Sequence, residues 1–79
     1  MLKKLIEKID EVQRLFKLSD ELLETDEPEA DRLYAEAYRL NGEAAEEISR
    51  ITGGRIDVEA ASHMVWEYPE RLKEILKKA

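Results

Sequence analysis

Cysteine is absent from the 79 residues. Its absence removes disulfides, thiolate zinc sites, iron–sulfur clusters and cysteine nucleophiles together, and it fits a reducing, cytoplasmic compartment. Amides are almost missing as well: Asn41 is the only asparagine and Gln13 the only glutamine. Long apolar runs are lacking, Met64-Val65-Trp66 being the longest strictly apolar one. A spanning helix needs roughly 20 such residues, so no membrane segment is expected. The opening Met-Leu-Lys-Lys-Leu-Ile-Glu-Lys interleaves charge with apolar groups, unlike the core of about 7 to 15 apolar residues in a secretion signal. Two prolines and three glycines leave few places where a helix must stop.

What is present is charge. Lys and Arg number 13 against 19 Asp and Glu, for a net charge of −6, and 43% of the residues are hydrophobic. With two threonines against 14 glutamates, 7 lysines and 6 arginines, the composition resembles that of hyperthermophile proteins, a profile that idealised designs share. A chain of this size makes one domain, residues 1–79, with one modest core and a stability of roughly 4 to 12 kcal/mol.

From Leu2 to Leu23 the apolar residues keep helical spacing for six turns, and Leu15, Leu18 and Leu22 add a second strip beside the main seam. The stretch Glu24-Thr25-Asp26-Glu27-Pro28-Glu29 stops that helix and starts another, with Asp26 as N-cap and Pro28 in the first turn. So short a connection predicts an antiparallel hairpin. In the second helix Ala30, Ala37 and Ala44 recur every seven residues, a small-residue seam that admits close approach. Asn41-Gly42 is a turn signal, but the apolar phase from Ala37 and Leu40 to Ala44 and Ile48 runs through it, so continuity is expected. Gly53-Gly54 ends this helix and Asp57 caps the next, whose phase passes Tyr68 and resumes at Leu72 beyond Pro69. Proline there loses the bond to the Val65 carbonyl, at a cost of roughly 3 kcal/mol inside a helix. The predicted fold is therefore all-α: a small antiparallel three-helix bundle of comparable rods, the last split or kinked at Pro69. If its two halves diverge, the count becomes four.

Charge is distributed unevenly, +2 over residues 1–17, −9 over 18–49 and +1 over 50–79. Asp20, Glu21, Glu24, Asp26, Glu27, Glu29 and Asp31 follow one another with no intervening cation. They gather at the hairpin turn. A helix N-terminus favours Glu27, Glu29 and Asp31, whereas Asp20, Glu21 and Glu24 oppose the dipole at the other helix's C-terminus. A solvated acidic cap is the plain reading, and a surface for a basic partner the functional one. The loop lacks the central glycine and ligand alternation of an EF-hand.

Catalytic sets are thin. His63 is the single histidine, and Ser62 beside it cannot face it on a helix. Glu59, His63 and Glu67, at i, i+4 and i+8, outline a carboxylate and histidine face, but bundle metal sites use paired Glu-x-x-His motifs that this chain lacks. No metal or other cofactor is expected, no small-molecule substrate is evident, and no enzyme activity is predicted. Helix, glycine turn and helix around residues 43–67 outline a helix-turn-helix, yet its second helix carries Asp57, Glu59 and Glu67 with no Lys or Arg, which speaks against nucleic acid. Trp66 sits off the phase of Val58, Ala61 and Val65, suiting either the angle at Pro69 or an exposed anchor. The leading expectation is a non-enzymatic module that binds a protein partner or a second copy of itself, through the acidic turn and the region of His63, Trp66 and Tyr68. A nucleic-acid regulator using Lys3, Lys4, Lys8, Arg50, Arg55, Lys73 and Lys77 is the alternative, and a metal-binding bundle the third reading.

Overall fold

Each helix begins and ends where local chemistry dictates. The structure, a computed structural model, describes residues 2–78 and contains α1 (Leu2–Leu22), α2 (Glu27–Ile51), α3 (Val58–Glu67) and α4 (Pro69–Lys78). Between α1 and α2 the chain turns on bonds from the Thr25 and Asp26 amides to the Leu22 carbonyl. Asp26 then caps α2, its carboxylate accepting from the Glu29 amide at 3.2 Å. Asn41-Gly42 lies within α2, which runs unbroken as the apolar phase predicted. At its end the Gly53 and Gly54 amides donate to the Arg50 and Ser49 carbonyls, and both glycines take positive φ, 63° and 85°. This is the Schellman arrangement for which glycine is suited. The Asp57 carboxylate accepts from the Ala60 amide at 2.7 Å and starts α3.

Leu5, Ile9, Val12 and Leu15 of α1 are buried, as are Ala30, Leu33, Ala37, Ala44 and Ile48 of α2. The alanine seam is fully covered, and a pair of antiparallel helices this close forms the body of the molecule. Ser19, the polar position of the α1 seam, is also buried and donates from its hydroxyl to the Ala30 carbonyl at 2.8 Å, so no acceptor or donor there is wasted.

Pro69 divides the last segment into two helices of 10 residues each. They do diverge, and the count is four. Ala61 and Val65 of α3 and Leu72 and Leu76 of α4 join one cluster with Leu5, Ile9, Val12, Ala44, Ala45 and Ile48. Both short helices thus pack on the same end of the hairpin, where α1 begins and α2 finishes. The split expected at Pro69 is what the chain shows, in its four-helix form: α4 doubles back instead of extending along the hairpin. Its Lys73 reaches Asp10 of α1 at 2.6 Å. The other end holds only a small two-helix cluster of Leu15, Leu33 and Ala37, edged by Phe16, Leu18, Leu22 and Leu40.

The shape records this division. Extents are 42 × 20 × 18 Å and the radius of gyration is 13.1 Å, above the roughly 11.6 Å of a typical globule of this length. A four-helix base carries a bare two-helix tip.

Candidate functional site

Where α3 ends, the covered and bare halves of the hairpin meet, and most of the aromatic side chains collect there. Phe16 of α1, Tyr34 of α2 and Trp66 of α3 form one cluster. The Phe16 and Trp66 rings meet edge to face with centroids 3.8 Å apart, Tyr34 lies 5.5 Å from Phe16 and 6.3 Å from Trp66, and Tyr38 continues the row 6.1 Å from Tyr34. Trp66 nevertheless keeps 41% of its surface exposed and Tyr38 65%. Trp66 does not fill the angle at Pro69; it bridges α3 to both long helices. Tyr68 stands nearer that angle, its ring 5.8 Å from His63.

Tyr34, Tyr38, Asn41, Ser62, His63 and Trp66 line an open cleft of about 360 Å³ between α2 and α3. On α2 the three contributors are spaced i, i+4 and i+7, one face of a helix. Asn41 is 5% exposed, and its Oδ1 is buried without any hydrogen-bond partner. Most buried polar groups are paired, so an orphaned acceptor is unusual.

The acidic turn occupies the bare tip. Asp20, Glu21, Glu24, Asp26, Glu27 and Asp31 are exposed and Glu29 is half-buried. Glu29 forms a bidentate pair with Arg32, whose hydrogen bonds hold its carboxyl below the ordinary glutamate range. Asp26 is engaged as a cap. The remaining five carry no side-chain ion pair among the described residues. Glu27, Asp31, Tyr34, Tyr38 and Asn41 follow at intervals of four, three, four and three, a single strip along α2. The acids and the cleft are two ends of one surface.

Of the residues that sequence reasoning singled out near Trp66, the structure puts His63 in the cleft and Tyr68 beside it. Tyr34, Tyr38, Asn41 and Ser62 were missed as a set. The i, i+4, i+7 spacing of Tyr34, Tyr38 and Asn41 was the available signal, hidden because Asn41-Gly42 reads first as a turn.

Glu59, His63 and Glu67 gather no further ligands: among the described residues no group of three or more His, Asp or Glu side chains is placed to hold a metal ion. Ser62 and His63 share no hydrogen bond. Two cations of the supposed basic stripe are already engaged, Lys8 with Glu43 at 3.4 Å and Lys73 with Asp10 and Glu70 at 2.6 and 2.9 Å. Among the described residues no helix is long and apolar enough to cross a membrane. Comparison with protein-family models, curated proteins and solved structures yielded no match to this chain.

Proposed function

We propose that the protein is a non-enzymatic interaction module whose bare hairpin tip receives a basic amphipathic helix from a protein partner. The observation that carries this reading is the early end of α3. That helix covers the hairpin as far as Trp66, and the track it follows continues uncovered toward the tip. On α2 the covered positions Ile48, Ala45 and Asn41 give way to Tyr38, Tyr34, Asp31 and Glu27 along the same strip. On α1, Gln13 and Phe16 touch α3, and the same spacing leads on to Asp20 and Leu23, the latter 51% exposed. A further helix laid end to end with α3 would meet a track in which Phe16, Leu23 and Tyr34 are interspersed with Asp20, Glu27 and Asp31. This is the helix-in-groove mode of recognition, and the carboxylates along the track select lysine and arginine on the incoming segment.

A second copy of the chain fits the groove less well, because it would bring the same carboxylates against each other. The nucleic-acid reading finds less support, since α3 carries Glu59 and Glu67 with no Lys or Arg and two of the seven cations are paired.

The test is a titration with a synthetic helical peptide bearing leucines on one face and lysines on the other, followed by the fluorescence of Trp66, the only tryptophan. Saturable binding that weakens with salt and is reduced at least tenfold by Leu23→Asp is expected. Binding unaffected by Leu23→Asp overturns the groove. Sedimentation equilibrium of the chain alone decides between partner and self: a dimer dissociated by Leu23→Asp assigns the groove to a second copy.

A further inference from the structure

We infer that the cleft between α2 and α3 is an aromatic seat for a methylated ammonium group, the head shared by a trimethylated lysine side chain and a free quaternary ammonium such as choline. The inference goes beyond the docking groove and does not depend on it, because Asp20, Leu23 and Glu27 take no part in lining the cleft. Its starting point is the arrangement of three rings. Tyr34 is the middle one, with the Tyr38 ring centred 6.1 Å and the Trp66 ring 6.3 Å from it. All three line the cleft and all three are exposed. A ring attracts a cation over its face out to about 6 Å. A cation seated in the cleft against Tyr34 is therefore within the field of both neighbours. Phe16, which does not line the cleft, packs 5.5 Å from Tyr34 and edge to face with Trp66, and so holds these two rings in place before any ligand arrives.

The shape and charge of the walls decide which cation. Trp66 is turned 73° and Tyr38 33° from the plane of Tyr34. A planar guanidinium stacks on one such ring and leaves the others, whereas a rounded trimethylammonium head can touch rings set at any angle. Among the described residues no Lys, Arg, Asp or Glu lines the cleft. A primary ammonium entering it would exchange water for neutral hydroxyls, with no carboxylate to accept its N–H groups. A quaternary head has no N–H to satisfy and lays its methyl groups against the rings. Acids flank the opening: Asp31 and Glu27 lie farther along the strip of Tyr38 and Tyr34, and Glu59 and Glu67 stand one turn either side of His63. α3 bears no Lys or Arg, and Arg39 beside Tyr38 is engaged by Glu36 and Glu43. The flanking carboxylates draw cations toward the cleft. Its volume, about 360 Å³, is near the lower bound for ligand pockets, enough for the head and part of the chain that carries it.

The experiment follows the Trp66 fluorescence of the full chain at pH 8 and constant ionic strength, as sodium chloride is replaced stepwise by tetramethylammonium chloride. A saturable change is expected. Choline and dimethylbutanol, its uncharged carbon isostere, then separate charge from shape, and choline is expected to bind at least about fivefold tighter. N-acetyl-trimethyllysine amide should exceed N-acetyl-lysine amide and N-acetyl-arginine amide by a similar factor. At the exposed Tyr38, substitution by leucine (Tyr38→Leu) should weaken tetramethylammonium binding about threefold, and Tyr38→Phe should not, since the ring and not the hydroxyl holds the cation.

Four results overturn the site: no saturable response to tetramethylammonium, equal affinity for choline and its isostere, equal affinity for the trimethylated and unmodified lysine probes, or affinity unchanged by Tyr38→Leu. With the site supported, the tighter of choline and the trimethyllysine probe assigns its source, a small molecule or a modified protein side chain. The groove stands or falls separately. Leu23→Asp should leave tetramethylammonium binding intact, so a groove that fails keeps the site. Helical-peptide binding retained without any tetramethylammonium response removes the site and keeps the groove.

Discussion

The Gln13 carboxamide of α1 donates from Nε2 to the Val65 carbonyl of α3 at 2.5 Å. In a continuous helix that carbonyl would accept from the amide of residue 69, which Pro69 lacks. One side chain from a neighbouring helix thus completes the hydrogen bonding that the proline interrupts, and it ties α3 to α1 where the chain reverses. Gln13→Leu leaves the acceptor half-buried and alone, and is expected to cost about 1 to 3 kcal/mol. In a Pro69→Ala background residue 69 regains an amide that competes for Val65, so the cost of Gln13→Leu should shrink. Urea denaturation of the two single variants and the double variant reads this coupling.

Glycine to alanine should have opposite signs at two positions. Gly42 is helical, and an added Cβ would meet nothing within 4 Å; alanine there is expected to stabilise by about 0.5 to 1 kcal/mol. Gly54 is equally open but has φ +85°. Alanine at that site is expected to cost about 1 to 2 kcal/mol, entirely from the backbone. Thermal midpoints of the two variants would separate in opposite directions from the parent.

Lys73 fastens α4 to α1, with Asp10 at 2.6 Å and Glu70 at 2.9 Å. Hydrogen bonds to Asp10, then to Glu70, raise its pKa above the ordinary 10.5. A raised pKa means a contribution complete below pH 10.5 and lost as pH rises through the higher folded value. Lys73→Met should therefore lower stability at pH 8 by about 1 kcal/mol or less, since Asp10 is largely solvated. Denaturation at stepwise higher pH should show the gap between parent and variant closing.

Acid titration carries the reverse sign at the tip. The hydrogen bonds from Arg32 depress the Glu29 carboxyl below its ordinary 4.5, as those from Arg14 depress Glu11. The stabilisation is present above pH 4.5 and fades as pH falls through the depressed values. Arg32→Gln should move the Glu29 midpoint upward, toward 4.5, in a carboxyl-detected titration and leave Glu11 where it was.

Much of this architecture was legible because it is written in local rules. Helical phase in residues 2–23, the cap at Asp26, the continuity through Asn41-Gly42 and the stop at Gly53-Gly54 depend on neighbours within a few positions, and the chain obeys each. The gathering of the acids at the hairpin turn follows from the same rules. The cleft was only half legible. His63 and Trp66 were visible as unusual residues, whereas the burial of Asn41 and its conjunction with Tyr34 and Tyr38 depend on how far α3 reaches along α2.

Spacing and capping residues dictate where helices start and stop, that one hairpin forms the body, and that Pro69 must interrupt the last segment. Where the chain goes after that interruption depends on packing between distant segments. Tyr68 takes φ −135° and ψ 53°, and α4 turns back because Leu72 and Leu76 find a surface to bury against Leu5 and Ile9. Those contacts span more than sixty positions, beyond any local pattern, and apolar burial does not specify direction from one helix alone. By doubling back, α4 completes a four-helix base and leaves the tip, with its acids and aromatic cleft, uncovered.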